Sequence, residues 1–349
     1  MRAVFLFTNE RSSLAKRVAN GEDSDNAFQG ALRLSKYGIE SDFIELENTF
    51  PKKIAQYVRQ HVSMHFVHVP LLPYMFFYDV LLTSASFGTL FIKKLFHLRP
   101  KKVVMFDYNI SGQLGNVRTF KQKVFRSVVS GVDAFITLSI EEAEAMKRIY
   151  PKKAQNIVYL PFACDGSYYK PIEGLVEEDF IISVGRDPGR DLFTLCKAVS
   201  GLGVSCKVTA KKTQLDAVGD VPSEIERQDF TSKELLEAYT KAKLVAIPLN
   251  PKYPNDSMGC STLVEAMAMS KAIVATDTVT MRNYITDGVN GRLVPQGDSD
   301  TLRVVIKELL QDDEQRNILG KNAREFVIRN CDPEKFAEEL ANFVEKLKI

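Results

Sequence analysis

The chain has 349 residues, which is enough for two domains of typical size. Its 45% hydrophobic and 26% charged residues are the proportions of an ordinary globular protein and exclude a largely disordered chain. The net charge of +2 hides an asymmetry, because residues 1–160 carry 22 Lys and Arg against 14 Asp and Glu, which leaves 24 against 30 for residues 161–349. The two halves are therefore expected to have different partners.

The cysteines and the N-terminus both favour a cytoplasmic protein. The five cysteines are odd in number and never spaced as Cys-x-x-Cys, so neither a disulfide framework nor a zinc site is predicted. The N-terminus, MRAVFLFTNERSS, has only a short apolar run and no small-residue cleavage site. It is predicted to be a first strand rather than a signal peptide, and export by that route is not expected.

Short apolar runs alternate with amphipathic stretches along the whole chain, as expected for parallel sheets with crossover helices. The predicted strands are RAVFLFT, DFIEL, HFVHV, KVVMF, AFITLS, IVYLP, FIISVG, VSCKVT, LVAIPLN, AIVAT and GRLVP. The predicted helices cover residues 26–37, 119–130, 140–149, 191–201, 232–241, 260–269 and 299–310. The fold class is therefore predicted to be α/β, with two doubly wound, Rossmann-like domains facing a cleft.

The pattern breaks between Tyr159 and Asp179, where prolines, glycines and acids cluster, and the domain linker is placed there. The first domain is predicted to be 1–165 and the second 166–331. Residues 332–349 read as a capped amphipathic helix that packs back on the first domain.

Residues 66–92 are strongly apolar, with Asp79 as the one formal charge. A spanning helix needs about 20 continuous apolar residues, and Pro70 and Pro73 interrupt this stretch. Two interpretations remain open: a monotopic or acceptor-binding element, or a strand followed by a buried core helix. The basic run 93–102 favours the first, because anionic lipid attracts such segments.

Basic residues are concentrated between residues 52 and 126, with only two acids among them. Residues 93–126 are therefore predicted to contact an anionic membrane surface, peripherally and on the inner face. Nucleic acid is not expected as a partner, since the stretch lacks an interleaved aromatic recognition motif.

The most informative segment follows the strand LVAIPL and has the order loop, glycine, helix, strand. Gly259, Cys260, Ser261 and Thr262 begin a helix whose free N–H groups and positive dipole end suit phosphates. Glu265 lies one turn further along. The alternative is purely structural, because Thr262 and Glu265 also have the spacing of a capping box.

The continuation AIVATDTVTMRNYITDGVNGRLVPQGDSDTL favours the phosphate-binding interpretation over the capping box. Together with the preceding segment it resembles the donor domain of retaining GT-B fold glycosyltransferases of family 4. The resemblance covers about residues 130–330, and residues 1–129 match only in outline. It implies a GT-B fold, an acceptor-binding first domain and a second domain that binds a nucleotide-sugar.

The resemblance also implies roles for individual residues. In FIISVGRDPGRDLF, Gly185 precedes Arg186 and Arg190, which should reach the donor's diphosphate and stabilise charge on the leaving nucleotide. Glu265 should accept hydrogen bonds from the ribose hydroxyls. These residues and the helix start 259–262 form the predicted donor site.

Two positions depart from the family pattern. An acid is common eight residues before Glu265, where this chain has Ser257, so the neighbouring Asp256 is the candidate for the sugar-facing acid. A histidine often follows the strand equivalent to KVVMF, where this chain has Asp107. Asp107 is therefore a second catalytic candidate, for acceptor handling, with a turn cap as the alternative.

The resemblance implies sugar transfer to a glycan or lipid-linked acceptor with retention of anomeric configuration. It implies no catalytic triad, no cofactor and no metal, since the arginines and the helix start replace a metal at the diphosphate. The four histidines are predicted to have core or surface roles. A nucleotide-sugar epimerase of the same fold and a non-catalytic nucleotide-binding scaffold remain as alternatives.

Overall fold

The structure, a computed structural model, describes residues 1–63, 65–98, 102–108, 110–114, 119–250, 252 and 258–347. The chain divides into two compact units. The first comprises Met1–Gly21, Asp25–Pro161 and Pro333–Ile349, and the second comprises Glu22–Ser24 and Phe162–Asp332.

The described strands of the first unit form a parallel sheet in the order β2-β1-β3-β4-β5-β6. They are β1 (Arg2–Leu6), β2 (Glu40–Phe43), β3 (Val80–Thr83), β4 (Lys102–Asp107), β5 (Ala134–Thr137) and β6 (Ile157–Tyr159). The helices are α1 (Ser12–Ala19), α2 (Leu46–Thr49), α3 (Lys52–His61), α4 (Leu72–Met75), α5 (Phe87–Leu95), α6 (Ile110–Leu114), α7 (Phe120–Val129) and α8 (Ile140–Ile149). Short 3-10 turns cover Asn26–Phe28, Leu34–Tyr37, Val69–Leu71 and Pro151–Asn156.

The second unit repeats this architecture, with its described strands parallel in the order β12-β11-β10-β7-β8-β9. They are β7 (Phe180–Val184), β8 (Ser205–Thr209), β9 (Ile225–Arg227), β10 (Leu244–Ile247), β11 (Ala272–Thr276) and β12 (Arg292–Val294). The helices are α9 (Leu192–Val199), α10 (Lys212–Asp216), α11 (Ser232–Lys241), α12 (Cys260–Ala268), α13 (Ser299–Gln311) and α14 (Asp313–Asn330), with a 3-10 turn at Met281–Asn283.

The last helix, α15 (Pro333–Lys346), belongs to the first unit. Arg33 forms an ion pair with Glu334 at 2.6 Å, and a Cβ atom at Gly30 would come within 3.3 Å of the Phe336 ring. These contacts fix the helix against the segment between α1 and β2. The two doubly wound parallel sheets confirm the predicted fold class.

Two predicted elements of the first unit were wrong. The run HFVHV, which reads as a strand, is a turn that leads into the 3-10 turn Val69–Leu71, because Pro70 has no N–H to give to a sheet ladder. The strand at this place in the sheet is β3, and all four of its residues are buried. The predicted helix 26–37 is two 3-10 turns, since Gln29 and Gly30 both adopt positive φ between them.

The apolar segment 66–92 contributes both core and surface. β3 lies between β1 and β4, and α5 buries Gly88, Thr89 and Leu90, as a strand followed by a core helix would. Other apolar side chains of the segment are exposed; these are Phe66, Tyr74, Phe76, Phe77 and Phe91. Among the described residues, no helix is long and apolar enough to cross a membrane.

Candidate functional site

The candidate site lies where the connections of the second sheet change direction. From β7 the chain proceeds to β8 and β9 on one side, and it then returns to β10, β11 and β12 on the other. The carboxyl ends of the adjacent strands β7 and β10 flank this switch point, where doubly wound sheets bind ligands. The loop 185–191 follows β7, and the chain after β10 leads to α12.

Backbone hydrogen bonds hold the loop after β7 against the segment after β10. The N–H of Asp191 donates to the carbonyl of Pro248 at 3.0 Å, and the N–H of Asn250 donates to that of Gly189 at 2.8 Å. Leu249 is anchored from the other side, since its N–H donates to Thr276 Oγ1 at 2.8 Å. Hydrogen bonds therefore hold the two loops together at the candidate site.

Arg190, in the loop after β7, is the cation of the candidate site, and its side chain is only 3% exposed. Its Nε donates to Asp187 Oδ2 at 3.0 Å, and its Nη2 donates to Thr262 Oγ1 at 2.9 Å. Its Nη1 is buried and has no hydrogen-bond partner among the described residues. A Cβ atom at Gly259 would lie 3.5 Å from Nη1, so this unpaired donor is directly beside the start of α12. A buried cation with a spare donor is the feature expected where an anion binds.

The start of α12 supplies further donors to the same place. Gly259 is the N-cap residue with φ 80°, and as a glycine it has no side chain with which to cap the helix. The first hydrogen bond within the helix runs from Leu263 N–H to Gly259 O, which leaves the N–H groups of Ser261 and Thr262 for a ligand. Cys260 and Thr262 are buried, and Ser261 is exposed.

The capping-box alternative is wrong for this helix. Thr262 is the third residue of α12, and its hydroxyl donates to Val184 O at 3.1 Å while it accepts from Arg190. The side chain therefore joins the end of β7 to the arginine and does not cap the helix.

Glu265, one turn along α12, is a partly covered carboxylate with a strongly shifted pKa. Loss of hydration on burial raises the pKa to about 7, and Asp23 adds to this effect. The phenol groups of Tyr169 and Tyr239 and the charge of Arg190 act in the opposite direction but are weaker. A carboxyl group with a pKa near neutrality, close to a buried cation, is typical of a functional site.

The structure gives different roles to Gly185 and Arg186. Gly185 has φ 145°, and a Cβ atom there would lie 2.1 Å from Arg190 Nε, so glycine is required for the arginine to fit. Arg186 is half exposed and forms an ion pair with Asp229 at 2.7 Å, and Asp229 also pairs with Arg227 at 3.0 Å. Arg190 is therefore beside the helix start, whereas Arg186 is bound to the loop after β9.

Sequence reasoning missed several partners of the site. Asp187 orients Arg190 and lies in the same loop, so a search for acids near the two arginines would have found it. Tyr239 has no such signal, because it looks like an ordinary core position of α11. Tyr169 has no such signal either, because it lies within the segment that the sequence assigns to the domain linker.

Asp107 and Asp256 are the remaining candidates. Asp107 ends β4 in the first unit, where its buried carboxylate accepts the N–H of Ile110 and caps the turn into α6. Asp256 and Ser257 lie outside the described residues.

The histidines and the acids of the described residues form no evident metal centre. His68 is buried and bonds to Phe7 O at 2.8 Å and Ser86 Oγ at 2.6 Å, and burial lowers its pKa to about 4. In the part of the chain that the structure describes, no group of three His, Cys, Asp or Glu could hold a metal ion.

Comparison with solved structures places this architecture in the GT-B fold. Sucrose-phosphate synthase from Thermosynechococcus elongatus superposes with a TM-score of 0.73 at 16% identity over 99% of both chains. Anabaena HepE, solved with UDP and glucose, gives a TM-score of 0.70 at 14% identity over 99% of this chain and 100% of its own. At these identities the likeness shows the fold.

Residues 223–326 match the family described as glycosyl transferases group 1. The matched residues lie within the second unit, and the match agrees with the resemblance seen in the sequence. Uncharacterized glycosyltransferase MJ1069 of Methanocaldococcus jannaschii is 29% identical over 119 residues, 34% of this chain and 30% of that protein. Phosphatidyl-myo-inositol mannosyltransferase of Mycolicibacterium smegmatis is 41% identical over 66 residues, 19% of this chain and 17% of that protein. The matched segments span less than a third of either relative.

Proposed function

We propose that this protein is a glycosyltransferase that moves a sugar from a nucleotide-diphosphate sugar to an acceptor, with retention of anomeric configuration. The observation that carries the proposal is the unpaired Nη1 of the buried Arg190 beside the glycine that begins α12. A diphosphate supplies the negative charge and the acceptor oxygens that this cluster lacks. The group 1 domain and the UDP complexes of HepE support the choice of donor.

The donor site works by charge stabilisation. The diphosphate lies at the helix start 259–262, over the N–H groups of Ser261 and Thr262, and Arg190 Nη1 donates to it. As the bond from the anomeric carbon to the β-phosphate oxygen breaks, negative charge grows on the leaving nucleotide, and these fixed donors stabilise it. Glu265 accepts hydrogen bonds from the ribose hydroxyls and holds the nucleotide in register.

The acceptor hydroxyl attacks from the face that the phosphate leaves. Its oxygen forms the new bond to the anomeric carbon, and its proton passes to the departing phosphate oxygen. Atoms and charge balance without a metal, a cofactor or a nucleophile of the protein. Asp256 remains the candidate for the acid near the sugar, and Asp107 for a role with the acceptor.

The acceptor is a glycan or a lipid-linked molecule bound by the first unit. Lipid linkage is supported by the exposed aromatic side chains of 66–92 together with the lysines of α5 and α7. Residues 93–126 are proposed to contact an anionic membrane surface from the cytoplasmic side.

Turnover of nucleotide-sugars tests the proposal. A thermal-shift screen of nucleoside diphosphates and their sugars selects the donor, because a ligand that binds the native state raises the melting temperature. Release of nucleoside diphosphate is then measured with and without glycan and lipid-linked acceptors, and the anomeric configuration of the product is read by NMR.

We expect one donor to give product only with an acceptor, and the product to keep the anomeric configuration of the donor. An epimerised sugar from donor alone would replace the proposal with the epimerase. Absence of any turnover, including slow hydrolysis, would favour a nucleotide-binding scaffold, and an inverted product would overturn retention alone.

A further inference from the structure

A cavity of about 290 Å³ lies in the first unit, away from the carboxyl edge of its sheet. Its wall is formed by the C-terminal ends of α5 and α7 and by the beginning of β4. Because both helices lead into the amino ends of strands, the cavity is at the amino edge of the sheet. Leu90, Val103 and Val128 make its apolar part. The cavity is thus separate from Asp107, which ends β4 at the carboxyl edge.

Basic side chains form the other part of the wall, and they include Lys93, Lys94 and His97. The Lys94 ammonium group donates to the carbonyl of Ser127 and lies 3.4 Å from Ser130 Oγ. This lysine satisfies a free carbonyl group at the end of α7, which is a common structural role. Some of the N–H donors of Lys94 are therefore already used and cannot bind a ligand.

Lys153 is a second ammonium group beside the cavity. It donates to the carbonyls of Ser130 and Val132, and burial lowers its pKa, with Asp133 opposing and Lys94 adding to the effect. Like Lys94, it is bonded to the loop after α7. Lys153 therefore adds positive charge beside the cavity, but two of its N–H donors are used by these carbonyl groups.

Lys93 has no such structural role. Among the described residues its ammonium group has no hydrogen bond and no ion pair within 4.0 Å, although the side chain is only partly exposed. Burial lowers its pKa, and Asp133 opposes this effect. Asp133 is itself engaged, since its Oδ2 accepts the N–H of Val103 at 2.8 Å. The charge of Asp133 thus acts on two ammonium groups, those of Lys93 and Lys153, and Lys94 adds a third positive charge close to Lys153. An anion would balance this excess of positive charge.

The surface next to the cavity is apolar. Leu95 and Phe96 follow Lys94 directly, and they are 58% and 65% exposed. Long apolar side chains beside lysines are typical of elements that lie in the interface of a membrane, where the apolar groups enter the acyl region and the cations meet the headgroups.

We propose that this cavity binds the phosphate group of an anionic membrane lipid, with Lys93 as its donor and with Leu95 and Phe96 inserted beside it. The proposal deepens the proposed membrane attachment by naming its site, and it rests on that attachment but not on sugar transfer. The phosphate oxygens accept charge-assisted hydrogen bonds from Lys93, and the walls of Leu90 and Val128 exclude water from them.

Vesicle binding by the full chain tests this site. Sedimentation is measured with phosphatidylcholine vesicles, with and without phosphatidylglycerol, for the wild type, Lys93→Ala and Lys123→Ala. Lys123 is the matched control, because it is an exposed lysine of α7 outside the cavity. Diffuse attraction changes the affinity by roughly fivefold for each lysine removed. We expect more than about tenfold for Lys93→Ala, since a direct bond to phosphate is lost as well.

A second pair of variants tests the apolar part. Leu95→Gln with Phe96→Gln should also weaken vesicle binding, and all variants should keep the melting temperature and the nucleotide affinity of the wild type. Equal losses for Lys93→Ala and Lys123→Ala would overturn the cavity as a site, as would absence of binding to anionic vesicles. Tight binding of inorganic phosphate at Lys93 without vesicle binding would show that the cavity binds a free anion, and it would overturn the proposal that the ligand is a lipid. Nucleotide affinity is measured for every variant. Failure of the lipid site would leave this affinity unchanged, so it can be distinguished from failure of the donor site.

Discussion

The hydroxyl group of Thr262 connects the end of β7 to the guanidinium group of Arg190. The bond to Arg190 is charge-assisted and buried, so its loss leaves a second unpaired N–H on the arginine. This residue, which reads as a helix cap in the sequence, is therefore expected to control how firmly the cation is held.

Thr262→Val should lower the free energy of unfolding by about 1–3 kcal/mol and weaken nucleotide binding by roughly tenfold. Thr262→Ser keeps the hydroxyl and loses one methyl group, so it should cost about 1 kcal/mol and leave the affinity near that of the wild type. Urea unfolding and calorimetric titration measure both effects. Equal nucleotide affinities for the two variants would show that the hydroxyl group does not hold Arg190 in place.

The pKa of Glu265, about 7, gives a pH dependence with a definite sign. The pKa is higher in the folded state than the ordinary value of about 4.3, so the fold favours the protonated form. Between about pH 4.5 and 7 the free energy of unfolding therefore falls as the pH rises. Ribose hydroxyl groups stabilise the carboxylate, so affinity for a nucleotide-sugar should rise roughly tenfold from pH 6 to pH 8.

Glu265→Gln is the control for this dependence, because the amide cannot lose a proton. Its affinity should be lower than that of the wild type at pH 8 and nearly flat with pH. A nucleotide-sugar is the right probe, since its diphosphate does not titrate in this range. A wild-type profile that is flat, or that persists in Glu265→Gln, would assign the titration to another group.

Some of these residues could be chosen from the sequence and others could not. Gly185, Arg190 and the helix start are fixed by local pattern, because a glycine after a buried strand and a helix after a loop both have sequence signatures. The pairing of Arg186 with Asp229 depends on two loops that are far apart in the chain. No local rule predicts such a contact.

At the scale of elements, the start of α12 depends on the backbone of Gly259. Its φ is 80°, and a Cβ atom would lie 2.9 Å from Met281 Cε and 3.1 Å from Ile247 Cγ2. The residue therefore faces both a conformational and a steric restriction. Gly288 has a similar φ of 73° but no atom within 4 Å of a Cβ, so it isolates the conformational part.

Gly288→Ala should cost about 1–2 kcal/mol, the penalty of a left-handed backbone. Gly259→Ala should cost roughly 1–3 kcal/mol more, because Met281 and Ile247 must shift, and it should also weaken nucleotide binding. Thermal unfolding of the two variants and titration with nucleotide check this. Equal destabilisation with unchanged affinity would mean that the helix start tolerates a side chain.

The errors in predicting elements have physical causes. HFVHV has the composition of a strand, but Pro70 prevents it from joining a ladder, and the buried run VLLT of β3 takes its place. The short strand β9 was missed because only three residues pair, and two of them are exposed. Amphipathic helices such as α13 and α11 were located well, since tertiary packing there agrees with local periodicity.

At the scale of the whole molecule, the cysteines are expected to be inert. All five lie in described parts of the chain, and each is buried and forms no disulfide. Burial raises the pKa of Cys196 to about 11 and also raises that of Cys206, so the reactive thiolate is scarce at neutral pH.

The melting temperature should therefore be the same with and without reductant. A thiol reagent should label the native protein slowly and all five cysteines in guanidinium chloride. Fast labelling of a native cysteine would contradict the packing around it, and a fall in melting temperature on reduction would reveal a disulfide.

The class of the whole molecule followed from the alternation of strands and helices and from one long segment after α12. Alternation of this kind leaves few topologies, since parallel strands need crossover helices. The segment after α12 is specific for one family because it combines two strands, a turn and the start of a helix, and each of these restricts the residue types at its own positions. The opposite charges of the two halves gave no fold information, and they bear only on partners.

A crystal structure with the nucleoside diphosphate selected by the thermal-shift screen tests the central claim most directly. The diphosphate should lie over Cys260–Thr262 with an oxygen within hydrogen-bond distance of Arg190 Nη1, and the ribose hydroxyls should reach the Glu265 carboxylate. A nucleotide bound elsewhere, or a diphosphate that leaves Nη1 unpaired, would contradict the assignment of this site.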